Sequence, residues 1–149
     1  MKKKAIQDCL ADLYYTAPVA EQVAVERTYQ DLTVNEMHIL SAINIRGEKG
    51  TTVIAKTMHL GRHMVAGSIR RLENKGYVIR EKQEGDAVTK IMLTEQGTGA
   101  LAVYKNMIRK GVADMVADMS DEEVDIIIKG MKRMKGCFDQ VIEEYSETE

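Results

Sequence analysis

Apolar and polar positions alternate along the 149-residue chain with a period typical of helices, interrupted by one short β segment. Apolar residues spaced three and four apart predict six helices, and two short apolar runs predict strands. The helices are expected at about 4–29, from Thr33 past Ile43, at 52–58, 62–75 and 95–119, and from Ser120 to about 145. The strands are expected at 77–79 and 91–93, joined through 84–86, and a turn is expected at 46–50.

Two Ser/Thr-x-x-Glu motifs mark helix starts. Thr33 with Glu36, and Ser120 with Glu123, have the spacing of a capping box, in which the hydroxyl and the carboxylate bind each other's backbone N–H groups. The chain is expected to enter a helix directly after each motif.

Glycine and proline punctuate the remaining helices. Gly61 breaks the pattern between two helices, and Gly76 suits the position just after a helix end. Pro18 interrupts the first helix, which either kinks there or restarts with Thr16 as its N-cap.

The order of elements over 51–94 is helix, turn, helix and β-hairpin, the layout of a winged helix-turn-helix that places a helix in the DNA major groove. The second helix has a core stripe, Val65, Ile69 and Leu72. The fold class is therefore mainly α with a small β-wing.

The terminal helices carry apolar stripes broader than one small core needs, which favours a dimerisation domain; a monomeric bundle core is the alternative. The stripes comprise Ile6, Cys9, Leu10, Leu13 and Tyr14 in the first helix, and Val124, Ile127, Ile128, Met131, Met134, Phe138 and Val141 in the last.

Charge is distributed unevenly, although the net charge is only −2. Residues 51–82 contain seven basic and two acidic residues, a local charge of +5, whereas residues 120–149 have a local charge of −5. A basic middle segment is the electrostatic footprint of nucleic-acid binding, and a solvated charged face is the alternative explanation.

Several classes are excluded by what the sequence lacks. No apolar run approaches a membrane span and no secretory signal is present, so a cytoplasmic protein with no membrane partner is expected. Cys9 and Cys137 form neither a disulfide framework nor a CxxC site. No catalytic triad, phosphate loop or dinucleotide motif appears, which argues against an enzyme and against a cofactor.

These residues resemble the MarR family of bacterial transcription regulators over nearly the whole chain. The resemblance is carried by D-L-T-V-N-E-M-H-I-L, by R-R-L-E-N-K-G-Y-V and by I-M-L-T-E-Q-G after the wing. It implies a homodimeric repressor that binds a double-stranded DNA operator until an effector weakens binding. Residues 1–149 would form one domain, with a DNA-binding lobe at 33–94 and dimerisation helices at 1–32 and 95–149.

The resemblance also assigns DNA contacts residue by residue. It places the base-reading helix at 61–72, with Arg62, His63, Ala66, Gly67 and Arg70 on its exposed face, and Arg62 is the best base reader because Arg pairs bidentately with guanine. Phosphate contacts are predicted for Thr51 and Thr52, at a helix start, and for five basic residues. Those basic residues are Arg70, Arg71, Lys75, Lys82 and Lys90.

Two departures from the family pattern affect this assignment. Family members often carry Ser or Thr, then Arg, where Met64, Ala66 and Gly67 stand here, so more of the specificity is expected from DNA shape. The family's wing carries an Asp-x-Arg-Arg type run, whereas residues 86–90 are about two residues shorter and contain no Arg. A minor-groove arginine is therefore not carried over.

Three effector classes remain open. A metal is disfavoured because Gly61 separates His59 from His63, and because only Glu36 and His38 match part of a zinc site in one branch. Cys9, with tyrosines nearby, resembles the sensing cysteine of the organic-hydroperoxide branch, although a buried inert thiol is the commoner case.

The third class is an acyl or small-molecule effector. The run V-N-E-M-H resembles the fatty-acid-synthesis repressor branch, which implies acyl-carrier-protein as effector. Methionines of the closing helices would suit a hydrophobic small molecule or simply fill the core. They are Met107, Met115, Met119, Met131 and Met134. The rival to a DNA-binding function is a helical protein-interaction module.

Overall fold

The computed structural model describes residues 2–46, 50–82, 84–85 and 87–146. The predicted mainly helical fold with a small β-wing is confirmed within those ranges, and the predicted strands are shifted by one or two residues. No helix there combines the length and apolar composition needed to cross a membrane. The elements are α1 (Lys2–Thr28), α2 (Val34–Arg46), α3 (Thr51–Met58), α4 (Arg62–Asn74), β1 (Val78–Glu81), β2 (Lys90–Leu93), α5 (Glu95–Val116) and α6 (Asp121–Ser146).

The chain divides into two compact units, Met1–Lys105 and Asn106–Glu149. The first unit contains α1 to β2 and the first half of α5. Within it, the Tyr29 hydroxyl just beyond α1 donates to the Ala100 carbonyl in α5 at 2.7 Å. The second unit contains the remainder of α5 and all of α6.

The core of the first unit lies where α2, α3 and α4 pack together beside the sheet. The predicted stripe Val65, Ile69 and Leu72 is confirmed, since all three side chains are completely buried. Burial of one such aliphatic side chain stabilises a fold by roughly 1.5–3 kcal/mol, so this stripe fixes the orientation of α4. Its partners in the core include Met37, Ile39, Leu40, Ile43, Ile54, Val78 and Ile91.

Both predicted capping boxes are confirmed. Glu36 Oε2 accepts the Thr33 N–H at 3.0 Å, and Thr33 Oγ1 accepts the Glu36 N–H at 3.2 Å. Glu123 Oε2 accepts the Ser120 N–H at 2.9 Å, and Ser120 Oγ accepts the Glu123 N–H at 3.4 Å. Each box satisfies two donors that a helix start leaves unpaired.

The turn between α3 and α4 differs from the prediction in one detail. His59 ends α3 in the left-handed conformation, with φ of 50°, whereas Gly61 is the extended N-cap of α4. The Leu60 N–H donates to the Ala55 carbonyl at 3.1 Å, which closes the end of α3. The chain reversal therefore rests on a histidine in a conformation that most non-glycine residues avoid. Gly76 has φ of 82°, as its predicted place after a helix end requires.

Of the two alternatives at Pro18, a kink or a restart with Thr16 as N-cap, the restart is wrong. α1 continues through Pro18, and the Thr16 hydroxyl donates back to the Asp12 carbonyl at 2.6 Å instead of capping a new helix. Proline removes a single backbone donor, and the helix on both sides remains hydrogen-bonded.

The apolar stripes of the terminal helices do not form the core of the chain. Ile6, Leu13 and Tyr14 are exposed on α1, and the Phe138 side chain on α6 is 55% exposed. The core-filler explanation for the methionines also fails for Met115, Met119 and Met131, which are exposed. Exposed apolar stripes of this length are typical of an interaction surface.

Candidate nucleic-acid interface

The outer face of α4 is exposed because its opposite face is anchored in the core. Arg62, His63 and Arg70 are exposed as predicted, and Met64 is 57% exposed. Ala66 and Gly67 are half-buried rather than exposed. The face therefore has a cationic start and end around a shallow, small-residue centre.

The start of α3 lies in the same unit. Gly50 is its N-cap and, as a glycine, makes no side-chain capping hydrogen bond. Thr51 is half-buried and Thr52 is exposed. N–H groups at a helix start beside hydroxyls suit a phosphate, and this role stays a prediction for both threonines.

The wing is an antiparallel pair, with Val78 opposite Leu93 and Glu81 opposite Lys90. Lys82 is exposed and Lys90 is half-buried. Asp86 of the predicted wing turn lies outside the described residues, as do residues 47–49 of the predicted turn before α3. The wing lies against α4 and the start of α3. Arg80 Nε lies 3.0 Å from Glu73 Oε2 on α4, and the Val88 side chain lies so close to Gly50, the N-cap of α3, that a Cβ there would clash with it.

A buried ion cluster lies beneath α4, and sequence reasoning did not predict it. Glu36 is 0% exposed, and its Oε1 accepts a hydrogen bond from Arg71 Nε at 3.1 Å. Lys75 Nζ donates to both Glu36 oxygens, at 3.0 and 3.2 Å, and also to the Asp31 carbonyl. Arg71 Nη2 donates to Ser68 Oγ at 2.8 Å. The carboxylate that caps α2 therefore also binds two cations of α4.

The electrostatics of the cluster follow from these contacts. Burial acts to raise the pKa of the Glu36 carboxyl, but hydrogen bonds from Lys75, Thr33 and Arg71 outweigh it and hold the pKa below its usual value. Glu36 is thus an anion in the folded protein.

The cluster changes the view of two predicted phosphate contacts. The Lys75 side chain is 28% exposed and is turned inward, whereas the Arg71 side chain is 58% exposed. The contact of Lys75 with DNA stays a prediction, but its established partners are internal. The available sequence signal was the i, i+4 spacing of Arg71 and Lys75 next to the core stripe, which places both on one edge of α4.

The histidines do not assemble a metal site. His59 ends α3 and His63 belongs to α4, while His38 Nε2 lies 2.7 Å from Glu21 Oε1 on α1. Tyr104 also donates to that Glu21 oxygen. Glu36 therefore does not share a site with His38. Among the described residues, no group of three His, Cys, Asp or Glu side chains is placed to hold a metal ion.

Cys9 lies on an exposed part of α1. The expectation that this thiol is buried is therefore wrong for the single chain, because the stripe that carries Cys9 is not packed into its core. Exposure satisfies one requirement of a redox sensor, which is that an oxidant can reach the sulfur.

Comparisons with known proteins agree with this architecture. Residues 32–87 match the model of the MarR family. The chain is 23% identical over 111 residues to an uncharacterized HTH-type transcriptional regulator of Bacillus subtilis (strain 168), YdgJ, covering 74% of this chain and 68% of YdgJ. It resembles the crystal structure of Streptococcus pneumoniae FabT in complex with DNA, with a TM-score of 0.84 and 23% identity, over 93% of this chain and 99% of that chain. A MarR family protein from Bacillus stearothermophilus gives a TM-score of 0.78 at 18% identity, over 93% and 99%.

Proposed function

We propose that the chain is a winged-helix regulator of the MarR family, whose model matches residues 32–87, and that it represses transcription as a homodimer bound to a specific DNA operator in the cytoplasm. The observation that carries the proposal is the face of α4, which is cationic, exposed and held rigidly by a buried stripe. MarR-family proteins are regulators, so the exclusion of an enzyme is confirmed on that ground.

In the proposed complex, the DNA-binding lobe at 33–94 lays α4 in a major groove. Arg62 reads a base at the start of the helix, while His63, Met64 and Gly67 line the approach to the base edges. Thr51, Thr52 and Arg70 hold phosphates on the two sides of the groove, and Lys82 and Lys90 do so from the wing. FabT was solved in complex with DNA, which supports this use of the fold.

Arg62→Ala is expected to reduce affinity for the operator by roughly 1–3 kcal/mol and to relax its sequence preference, because an exposed arginine at the start of α4 is placed to reach base edges. Fluorescence anisotropy with specific and random duplexes measures both effects. Arg109→Ala, which removes the same charge from an exposed position on α5, is the control. Equal losses on both duplexes would show that Arg62 is not a base reader.

The dimer is proposed from the uncovered apolar stripes. We propose that residues 1–32 and 95–149 supply the dimer interface, since exposed apolar side chains recur along both α1 and α6. A two-fold dimer would present two copies of α4 to an operator with two half-sites. Sedimentation equilibrium is expected to give twice the chain mass at micromolar concentration, and a single-chain mass throughout the concentration range would contradict it.

The effector is proposed to act by shifting the population between dimers that fit the operator and dimers that do not. Three candidates remain: oxidation of the exposed Cys9, acyl-carrier-protein, and a hydrophobic small molecule. Each can be added to the preformed DNA complex, with Cys9→Ser as the control for peroxide. A candidate that leaves DNA affinity unchanged is eliminated.

The protein-interaction alternative differs in its response to salt. Release of counterions from DNA makes affinity fall steeply as salt rises. Binding that is weak, equal on specific and random duplexes and insensitive to salt would favour the alternative.

A further inference from the structure

The Arg71 guanidinium is fixed at two points. Its Nε is bound to the buried Glu36 carboxylate at 3.1 Å, and its Nη2 is bound to the Ser68 hydroxyl at 2.8 Å. Ser68 and Glu36 are both buried, so neither anchor can follow the side chain into solvent. A guanidinium held along one edge has lost most of its rotational freedom before any ligand arrives.

The remaining edge of the guanidinium lies over the centre of the outer face of α4. A Cβ placed on Gly67 would lie 3.7 Å from Arg71 Nη1, so this nitrogen occupies the space beside a residue that has no side chain. Gly67 is on the predicted reading face, one helical turn before Arg71. The side chain is 58% exposed, which leaves the Nη edge accessible.

Geometry rather than charge distinguishes Arg71 from an ordinary phosphate contact. Glu36 accepts hydrogen bonds from both Arg71 and Lys75, so one carboxylate faces two cations and the cluster keeps a net charge of +1. A phosphate contact depends chiefly on such charge and needs no fixed orientation, whereas the Arg71 guanidinium is held in one plane. What Arg71 still offers is two or three N–H donors in a fixed plane. That pattern matches the O6 and N7 acceptors of guanine in the major groove.

We propose that Arg71 is a specificity-determining residue that reads a guanine, and that Glu36 and Ser68 are positioning residues that aim its guanidinium across Gly67. This inference rests on the proposed function and deepens it. It reassigns Arg71 from phosphate contact to base reading, whereas Lys75 serves as a second, internal partner of Glu36.

The test begins with a duplex that the full-length wild-type protein selects from a random-sequence library. Each base pair is then replaced in turn, and guanines are also replaced by 7-deazaguanine, which lacks the N7 acceptor. Affinities are measured for the wild type, Arg71→Lys, Ser68→Ala and the double variant, over a salt series. Arg109→Lys on α5 is the matched control. Sedimentation equilibrium checks that each variant keeps the assembly state of the wild type, and circular dichroism checks that it is folded.

The affinity of the wild type is expected to fall roughly tenfold or more when one G·C pair per half-site is replaced, and to fall also when the guanine of that pair is replaced by 7-deazaguanine. Arg71→Lys is expected to flatten the preference at that pair alone while keeping the salt slope, because lysine retains charge but not the planar fork. Ser68→Ala should reduce the base preference at the same pair in part, and the double variant should lose no more of that preference than Arg71→Lys does. Glu36→Gln, if folded, should behave as Ser68→Ala does.

An unchanged base profile in Arg71→Lys would overturn the inference, as would additive effects of Ser68→Ala and Arg71→Lys. Those results would leave a sequence-specific wild type and so would not affect the proposed function. Failure of the wild type to enrich any sequence would instead remove the proposed function and this inference together.

Discussion

Gly97→Ala is expected to lower the free energy of unfolding by about 1–3 kcal/mol, although alanine normally stabilises a helix. A Cβ at this position would lie 2.1 Å from the Tyr77 carbonyl oxygen and 3.1 Å from its carbon. Both atoms belong to the backbone, so no side chain can rotate away. The contact is also fixed from the other side, because the Thr94 hydroxyl accepts the Gly97 N–H at 3.0 Å and donates to the Gly76 carbonyl at 2.6 Å.

Gly99 in the same helix is the matched control, since a Cβ there meets nothing within 4 Å. Gly99→Ala is expected to stabilise the protein by about 0.5–1 kcal/mol through the lower backbone entropy of its unfolded state. Urea unfolding at one fixed protein concentration compares the two variants with the wild type. A Gly97→Ala variant as stable as Gly99→Ala would show that the start of α5 can move away from Tyr77 at little cost.

Glu36→Ala is expected to cost about 2–4 kcal/mol of unfolding free energy. The substitution removes a completely buried carboxylate, leaves Lys75 and Arg71 without their shared partner, and deletes half of the capping box of α2. The partial exposure of both cations keeps the expected loss below that of a fully buried pair. Glu123→Ala removes the equivalent residue of the exposed capping box at α6 and is expected to have a much smaller effect.

The same carboxylate should give the protein an acid-sensitive component of stability. The pKa of Glu36 is lower in the folded protein than its usual value of 4.5. Its contribution is therefore complete above that value and is lost as the pH falls through the lowered pKa. The difference in unfolding free energy between the wild type and Glu36→Gln should be constant near neutral pH and narrow in acid. A difference that stays constant down to the lowest pH would contradict the assignment.

The helices and strands of this fold could be predicted because the residues that define each element lie close together in the sequence. Thr33 with Glu36 and Ser120 with Glu123 define helix starts within four residues, and the stripe at Val65 defines a buried face within one helix. The failures concern the state of residues after the chain folds. Pro18 was compatible with a kinked helix or with a restarted one, and the continuous course of α1 in the structure excludes the restart.

The candidate site was predicted less completely than the fold, for a reason that Glu36 illustrates. Its capping role explained its place in the sequence, so nothing in the pattern required a second role 35 residues away at Arg71. Contacts between distant segments depend on packing that periodicity does not specify. The exposure of Cys9 was missed for a similar reason. An apolar stripe predicts that its residues are buried, but it does not say whether they pack against the same chain or against another molecule.

The junction between β1 and α5 has a mechanical consequence. At Gly97 and Tyr77 the start of α5 touches the segment that follows α4 backbone to backbone, and Thr94 bonds to the chain on both sides. Because backbone atoms meet at this junction, no side chain can change its rotamer to absorb a movement, so the two segments are expected to move together. A rotation of the start of α5 about its own axis would therefore displace the backbone at Tyr77, and the end of α4 with it.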